Sequence, residues 1–169
     1  LSVCLFSTNL QAWNCKYEKE INQELTLDGA EVLTILAGAG DLEIEGDNDA
    51  SVATIRGKVC VSEEDWLDES RVDVAGGSNA EIVVELPEIS SSWSLMGSKY
   101  AYIDLEITVP DNLKLEIKDS SGDVEIEGVS TLSLKDSSGD VHLEDIEGSV
   151  TLNDSSGDLV LEDIEGDVT

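Results

Sequence analysis

The sequence predicts an all-β protein built as a β-solenoid (β-helix), in which the chain winds into stacked coils of short strands. Three observations favour this fold. Val, Ile, Leu, Gly, Asp and Ser dominate the chain, whereas aromatic residues supply 4% and prolines number two, a mixture typical of short strands joined by tight turns. A motif recurs at a regular interval in the last third of the chain. Apolar and polar residues alternate around each copy, as they do in strands with one buried face.

The repeat sets the size of each predicted coil. The motif Asp-Ser-Ser-Gly-Asp begins at Asp119, Asp136 and Asp154, so its copies are 17 and then 18 residues apart. The apolar residues around every copy keep one register, so each repeat supplies two strands of about five residues. Two such strands cannot bury a core alone, but stacked coils share a continuous column of buried side chains.

Earlier segments fit the same architecture less regularly. Residues 33–46 align with 115–128 in their apolar and glycine positions and predict another coil. Longer strand candidates between these segments predict wider, irregular coils with inserted loops at 63–68 and 90–98; they span 51–61, 70–74, 80–86 and 102–109. A new coil begins at Val168, so we expect a solenoid that is incomplete at its C-terminus.

The first residues are interpreted as a truncated signal peptide. Residues 1–12 are largely apolar and have the length of a leader, although neither an initiator Met nor a basic segment precedes them. Cleavage after Ala12 leaves a single β-solenoid domain at 13–169. An ordinary first strand is the alternative. The leader predicts an exported protein, in the periplasm or at the cell surface of a bacterium.

The three cysteines fit this interpretation. Removal of the leader removes Cys4 and leaves Cys15 and Cys60, an even pair in an exported chain. We therefore predict one disulfide between Cys15 and Cys60. Two buried thiols are the alternative.

The net charge limits the classes of partner. The chain has 38 Asp and Glu residues against 9 Lys and Arg residues, which gives a net charge of −29. A charge of this sign repels nucleic-acid phosphates and anionic membrane surfaces. We expect neither nucleic acid nor an anionic membrane as a partner, and a protein or glycan ligand at the envelope instead.

A family resemblance rests on residues 107–117 and on the turns that follow. Ile-Thr-Val-Pro at 107–110 precedes Leu-Lys-Leu-Glu-Ile at 113–117, and Ser-Gly-Asp-Val turns come next. In these features the chain resembles the bacterial putative adhesin domain family, which is related to the head domains of autotransporter adhesins, over about residues 28–169. The resemblance implies an exported β-solenoid with an adhesin-like role and without assigned catalytic residues.

The repeated turns create a problem of charge. Equivalent residues of a solenoid lie ~4.8 Å apart, so stacked carboxylates repel by roughly 0.9 kcal/mol per pair in water. One hypothesis is a calcium-dependent scaffold in which these carboxylates bind the ion. The other is that the first Asp forms an Asx-turn and the second caps the next strand; the period, unlike that of calcium-binding nonapeptides, favours it. The predicted ladders are 119/136/154, 123/140/158 and 127/144/162.

Three surface features are candidates for function. An aromatic group beside the inserted loops is either a recognition site or a lid over the irregular coils. A hydroxyl-rich outer face between 114 and 153 either binds a sugar or protein or is an ordinary soluble surface. His142 is expected to point outward between Glu125 and Val160, either solvated or paired with Glu. The aromatic group consists of Trp66, Trp93, Tyr100 and Tyr102.

Residues suited to catalysis are few. The sequence has one histidine and no phosphate-loop, zinc or serine-hydrolase motif, so we predict no catalytic, cofactor-binding or metal-ligating residue. We expect a non-enzymatic protein with a structural or surface-interaction role in the bacterial envelope. A polysaccharide-acting enzyme that uses paired carboxylates is the remaining alternative.

Overall fold

The chain folds into strands wherever apolar and polar residues alternate. A computed structural model describes residues 15–89 and 99–169. The predicted leader at 1–12 and Trp93 lie outside the described residues. Within them, the short helix α1 covers Trp66–Glu69. The strands are β1 Tyr17–Thr26, β2 Val32–Leu36, β3 Leu42–Asp47, β4 Val52–Val61, β5 Arg71–Ala75, β6 Ala80–Glu85, β7 Ala101–Pro110, β8 Lys114–Lys118, β9 Val124–Glu127, β10 Thr131–Lys135, β11 Val141–Ile146, β12 Val150–Asn153 and β13 Leu159–Ile164.

Two sheets contain all of these strands. One has seven strands in the order β1-β4-β7-β3-β9-β11-β13, and the other has six in the order β12-β10-β8-β2-β6-β5. The inward aliphatic side chains of both sheets form one hydrophobic core. The prediction of an all-β protein is therefore confirmed. No described segment forms a helix long and apolar enough to cross a membrane.

The repeats pair in parallel and in register. In the six-stranded sheet, Leu115 of β8 stands opposite Leu132 of β10, which stands opposite Val150 of β12. In the other sheet, Val141 of β11 lies between Val124 of β9 and Leu159 of β13. Each repeat thus gives one strand to each sheet, and partners are separated by the 17 or 18 residues of the sequence repeat.

Residues 33–46 join the same stack, as the sequence predicted. β2 pairs in parallel with β8, and Leu33 stands opposite Leu115. β3 pairs in parallel with β9, and Leu42 stands opposite Val124. The aligned residues Leu33 and Leu115 have no solvent exposure, so one buried column runs through this segment and the later repeats.

The middle of the chain differs from the wider coils that we expected. β4 pairs antiparallel with β1 and with β7, and β5 pairs antiparallel with β6. Coils stacked in a solenoid pair in parallel. The error has a physical reason, because the alternation of apolar and polar residues is the same in parallel and antiparallel strands with one buried face. The pattern located these strands but left their direction undetermined.

A column of turn glycines allows the repeats to approach closely. A Cβ atom built on Gly139 would lie 1.8 Å from the carbonyl oxygen of Gly122, and one on Gly122 would lie 2.0 Å from that of Gly40. Gly139 also has a φ of 149°, which L side chains rarely adopt. The glycine in each Ser-Gly-Asp turn is thus required by the contact between neighbouring coils.

We predict that Gly139→Ala lowers the free energy of unfolding by about 3 kcal/mol or more, since the new methyl group collides with a backbone carbonyl that cannot move away. Urea denaturation followed by circular dichroism measures the loss. Gly77→Ala is the matched control, because Gly77 has a φ of 95° but has open space around its Cβ position among the described residues. We expect it to cost roughly 1 kcal/mol. Equal losses in the two variants would contradict the steric explanation.

A disulfide joins the start of the described chain to the seven-stranded sheet. The sulfur atoms of Cys15 and Cys60 lie 2.06 Å apart and their Cα atoms 5.4 Å apart. Cys60 is buried in β4. The pair is the one that the sequence predicted, and it fixes the segment before β1 against the antiparallel part of the sheet.

Reduction of this disulfide is expected to lower the free energy of unfolding by about 4 kcal/mol, because a bond across 45 residues restricts the unfolded chain. The measurement is urea denaturation with and without a reducing agent. The double variant Cys15→Ser/Cys60→Ser serves as the control, since its stability should not respond to the reductant. An equal response of both proteins would show that the reductant acts elsewhere.

Candidate functional site

The outward side of the seven-stranded sheet is the candidate functional site, because the register of the strands collects carboxylates there. Glu43 of β3 stands between Glu106 of β7 and Glu125 of β9. A second row runs across the same sheet from β3 to β13. We call this surface the acidic face; its residues are Glu43, Glu45, Glu106, Glu125, Glu127, Glu144 and Glu162.

Charge repulsion on the acidic face is visible in two of its carboxyl groups. Partial burial, followed by repulsion from Glu106 and Glu125, raises the pKa of Glu43. Burial, followed by repulsion from Glu144, raises the pKa of Glu127. Arg56 borders the face opposite Glu106. A cation or cationic group placed on these rows would therefore relieve repulsion.

A row of aspartates beside the acidic face accepts backbone hydrogen bonds. Oδ1 of Asp123 accepts the N–H of Asp140 at 3.0 Å, and Oδ1 of Asp140 accepts that of Asp158 at 2.9 Å. The same bond links Asp41 to Asp123 at 3.0 Å and Asp104 to Asp41 at 3.1 Å. We call this row the aspartate ladder. Hydrogen bonds to the ionised carboxylates offset part of their mutual repulsion.

The aspartate ladder corrects one detail of the predicted turn and leaves the calcium hypothesis without support. The second Asp of the motif does cap a strand, but the N–H that it binds belongs to the neighbouring repeat. Its carboxylate is therefore a hydrogen-bond acceptor in the place where the calcium hypothesis required an ion ligand. The structure gives a reason for the stacked charges that needs only backbone donors.

The first Asp of each motif lies at the edge of the core. Asp136 is fully buried, and its Oδ1 accepts the N–H groups of Ser137 at 2.7 Å and Ser138 at 3.3 Å. Oδ1 of Asp154 accepts the N–H of Ser156 at 3.1 Å. These contacts are the Asx-turns that the motif predicted.

Asp119 and Asp136 form a buried pair of acids. Asp119 is 5% exposed, and neither of its carboxyl oxygens has a hydrogen-bond donor among the residues that the structure describes. Burial, followed by hydrogen bonding to and repulsion from Asp136, raises the pKa of Asp119 to about 7. Two adjacent buried carboxylates cannot both be ionised without a large cost. Asp119 thus holds a proton close to neutral pH.

The aromatic group divides between two environments. Trp66 packs against the core from α1, and the Nζ atom of Lys99 lies 5.3 Å from the centre of its ring. The rings of Tyr100 and Tyr102 are 6.2 Å apart, and the hydroxyl of Tyr102 lies 3.8 Å from the Sγ atom of Cys15. These contacts fit the lid interpretation better than an exposed recognition site.

The hydroxyl-rich face lies on the outward side of the six-stranded sheet. Thr131 stands opposite Lys114, and Ser133 lies between Glu116 and Thr151. A salt bridge of 2.9 Å joins Lys114 to Glu116. This face therefore carries charges of both signs that pair with each other, unlike the acidic face.

His142 lies in the predicted row, but its carboxylate neighbour comes from a different one. It stands between Glu125 on β9 and Val160 on β13. Its Nε2 atom is 3.7 Å from Oε2 of Glu162, which occupies the diagonal position. Sequence reasoning considered only the residues directly opposite, whereas side chains two positions along a neighbouring strand are also within reach.

Sequence reasoning also missed much of the acidic face. The predicted ladder 127/144/162 is part of it. Glu45 could have been added, because residues 33–46 were already aligned with 115–128. Glu106 depended on the pairing of β7 with β3, and no repeat in the sequence marks that pairing.

Comparison with known proteins identifies the family. The family model described as Toastrack DUF4097 matches residues 33–167. The chain belongs to this family. The match covers β3, β9, β11 and β13, which carry most of the acidic face, and the predicted resemblance to an adhesin-like domain family is confirmed. No curated protein matches the chain.

Solved structures resemble the fold at low sequence identity. A "putative cell adhesion protein" from Clostridium sporogenes is 16% identical, with a TM-score of 0.52 over 90% of this chain and 98% of that chain. A "putative lipid binding protein" from Parabacteroides distasonis is 16% identical, with a TM-score of 0.45 over 87% of this chain and 59% of that chain. A "putative adhesin" from Bacteroides fragilis is 12% identical, with a TM-score of 0.33 over 89% and 95%. The first of these likenesses supports the fold.

The buried acid pair predicts that stability falls as the pH rises from about 4 to about 7. The pKa of Asp119 is about 7 in the folded state against an ordinary value of 3.8. Its contribution is therefore fully present below pH 3.8 and lost as the pH rises through 7, because the folded state must then give up a proton that the unfolded chain has already released. Melting temperatures measured across this range give the slope.

Asp119→Asn should flatten this pH dependence, since an amide carries no charge to bury. Asp158→Asn is the matched control, because it removes the same charge from an exposed position and should keep the slope of the unmodified chain. Parallel slopes in Asp119→Asn and the unmodified chain would show that the pH dependence arises from the overall net charge.

Proposed function

We propose that this chain is a non-enzymatic, exported contact module of the bacterial envelope, which presents its acidic face to a positively charged protein or glycan. One observation carries the proposal. The register of β7, β3, β9, β11 and β13 holds carboxylates in adjacent rows on an open sheet, and repulsion already raises the pKa of Glu43 and Glu127. Charge complementarity of this kind selects partners and guides their approach.

We infer that the repeated part is a β-solenoid with coils of 17 and 18 residues. The parallel registers of both sheets support this, because they advance by one repeat at each strand. Such a stack would be a stiff support for a binding surface, since each coil is hydrogen-bonded to the next on two sides. An adhesin-like role suits a stiff, open surface.

Other features support the class and the location of the proposed function. The acidic face is an open sheet, whereas catalysis needs acid and base groups that converge on an enclosed substrate. The disulfide between Cys15 and Cys60 suits an oxidising compartment such as the periplasm or cell surface. Cell adhesion is also named in the description of the Clostridium sporogenes protein.

The test measures binding of two cationic probes, an oligolysine peptide and a chitosan oligosaccharide, at about physiological salt, where weak surface attraction is screened. An acetylated chitin oligosaccharide of the same length is the uncharged control. We expect the chain to bind at least one cationic probe. The triple variant Glu43→Gln/Glu125→Gln/Glu127→Gln should weaken that binding by roughly tenfold.

A second triple variant separates the face from the net charge. Glu64→Gln/Asp65→Asn/Asp68→Asn removes the same charge from exposed positions beside α1 and should leave the affinity nearly unchanged. Equal losses in both variants would overturn the proposal in favour of attraction by the whole molecule. Shortened chitosan in the mass spectrum would show a polysaccharide-acting enzyme instead.

A further inference from the structure

Three side chains at one end of the acidic face form a group with an additional chemical property. His142 and Glu144 point outward from β11 two residues apart, and Glu162 stands opposite Glu144 on β13. One ligand atom from each side chain lies within 4.8 Å of the ligand atoms of the other two. The parallel register of β11 and β13 sets this spacing, because it places two residues of one strand beside one residue of the next.

The imidazole distinguishes this group from the other carboxylate rows. The Nε2 atom of His142 is covered from solvent and has no hydrogen-bond partner within the described ranges. It lies 3.7 Å from Oε2 of Glu162, which is too far for a hydrogen bond. Covered polar atoms are nearly always partnered, so an unpartnered one needs an explanation. A bound cation between Nε2 and the two carboxylates would supply it.

We propose that His142, Glu144 and Glu162 bind one divalent transition-metal ion, for which Zn²⁺ is the probe. Zinc binds imidazole nitrogen and carboxylate oxygen at about 2.0–2.2 Å, so two ligand atoms on one ion lie up to about 4.2 Å apart. Small side-chain rotations of Glu144 and Glu162 close the remaining distance. Water would occupy the fourth position, as it does in zinc sites with three protein ligands.

The ligand set selects against the ions that carboxylates alone prefer. Ca²⁺ and Mg²⁺ are bound by oxygen ligands, whereas imidazole favours first-row transition metals. The two carboxylates match the charge of the ion, and the rest of the acidic face attracts it. This inference goes beyond the proposed function, because it concerns the metal alone and holds whether or not the face also binds a cationic protein or glycan.

The experiment is a calorimetric titration with Zn²⁺ at about physiological salt in the presence of excess Mg²⁺, which occupies weak carboxylate sites. All proteins carry Cys4→Ser, so that this thiol cannot bind the metal. We expect one Zn²⁺ per chain, and a loss of affinity of roughly tenfold or more in His142→Gln and in Glu162→Gln. Glu125→Gln is the matched control, since Glu125 also borders His142 and carries the same charge but is not in the ligand group.

A second readout follows the imidazole directly. His142 is the one histidine of the chain, so its ring resonances are unambiguous, and Zn²⁺ should shift them at the same concentration at which calorimetry detects binding. An equal loss of affinity in Glu125→Gln and Glu162→Gln would overturn the site and show diffuse attraction. Binding that is unchanged in His142→Gln, or ring resonances that do not respond to Zn²⁺, would also overturn it and leave a simple His–Glu contact.

Discussion

Hydrogen bonding between equivalent positions of successive repeats is the constraint on which the rest of the structure depends. Because β10 pairs in register with β8 and with β12, each inward position receives the same class of side chain in every repeat. The same register also stacks every outward and every turn residue on a copy of itself. Buried aliphatic columns stabilise the stack, whereas columns of like charge oppose it.

The structure answers this repulsion in different ways at different depths. At the aspartate ladder the charges stay ionised, because each carboxylate accepts a backbone N–H from the neighbouring repeat. In the buried pair Asp119 and Asp136, the raised pKa lets a proton replace one charge. On the acidic face, the charges stand in solvent with less compensation, and this is the surface available to a partner. Burial and the supply of backbone donors thus decide where charge remains for binding.

The sequence predicted the fold best where it repeats. Residues 115–164 gave the strands, their sheet partners and the register, because two strands can align their repeats and bury both apolar faces in one way only. Residues 51–86 gave strand positions alone, since alternation is blind to strand direction. The pairing of Cys15 with Cys60 followed from counting, whereas the contact of His142 with Glu162 needed coordinates, because it depends on the rotation of long side chains across a diagonal.

The aspartate ladder also bears on how proteins of this kind change length. Each repeat brings both the donor N–H and the acceptor carboxylate that its neighbours need. The spacing can grow from 17 to 18 residues at an outer corner, where Asp145 and Asp163 adopt positive φ angles of 53° and 50°. A duplicated unit could therefore enter the stack without leaving an unpaired polar group on either side. Evolution by gain or loss of whole repeats would then lengthen or shorten the acidic face while preserving its spacing.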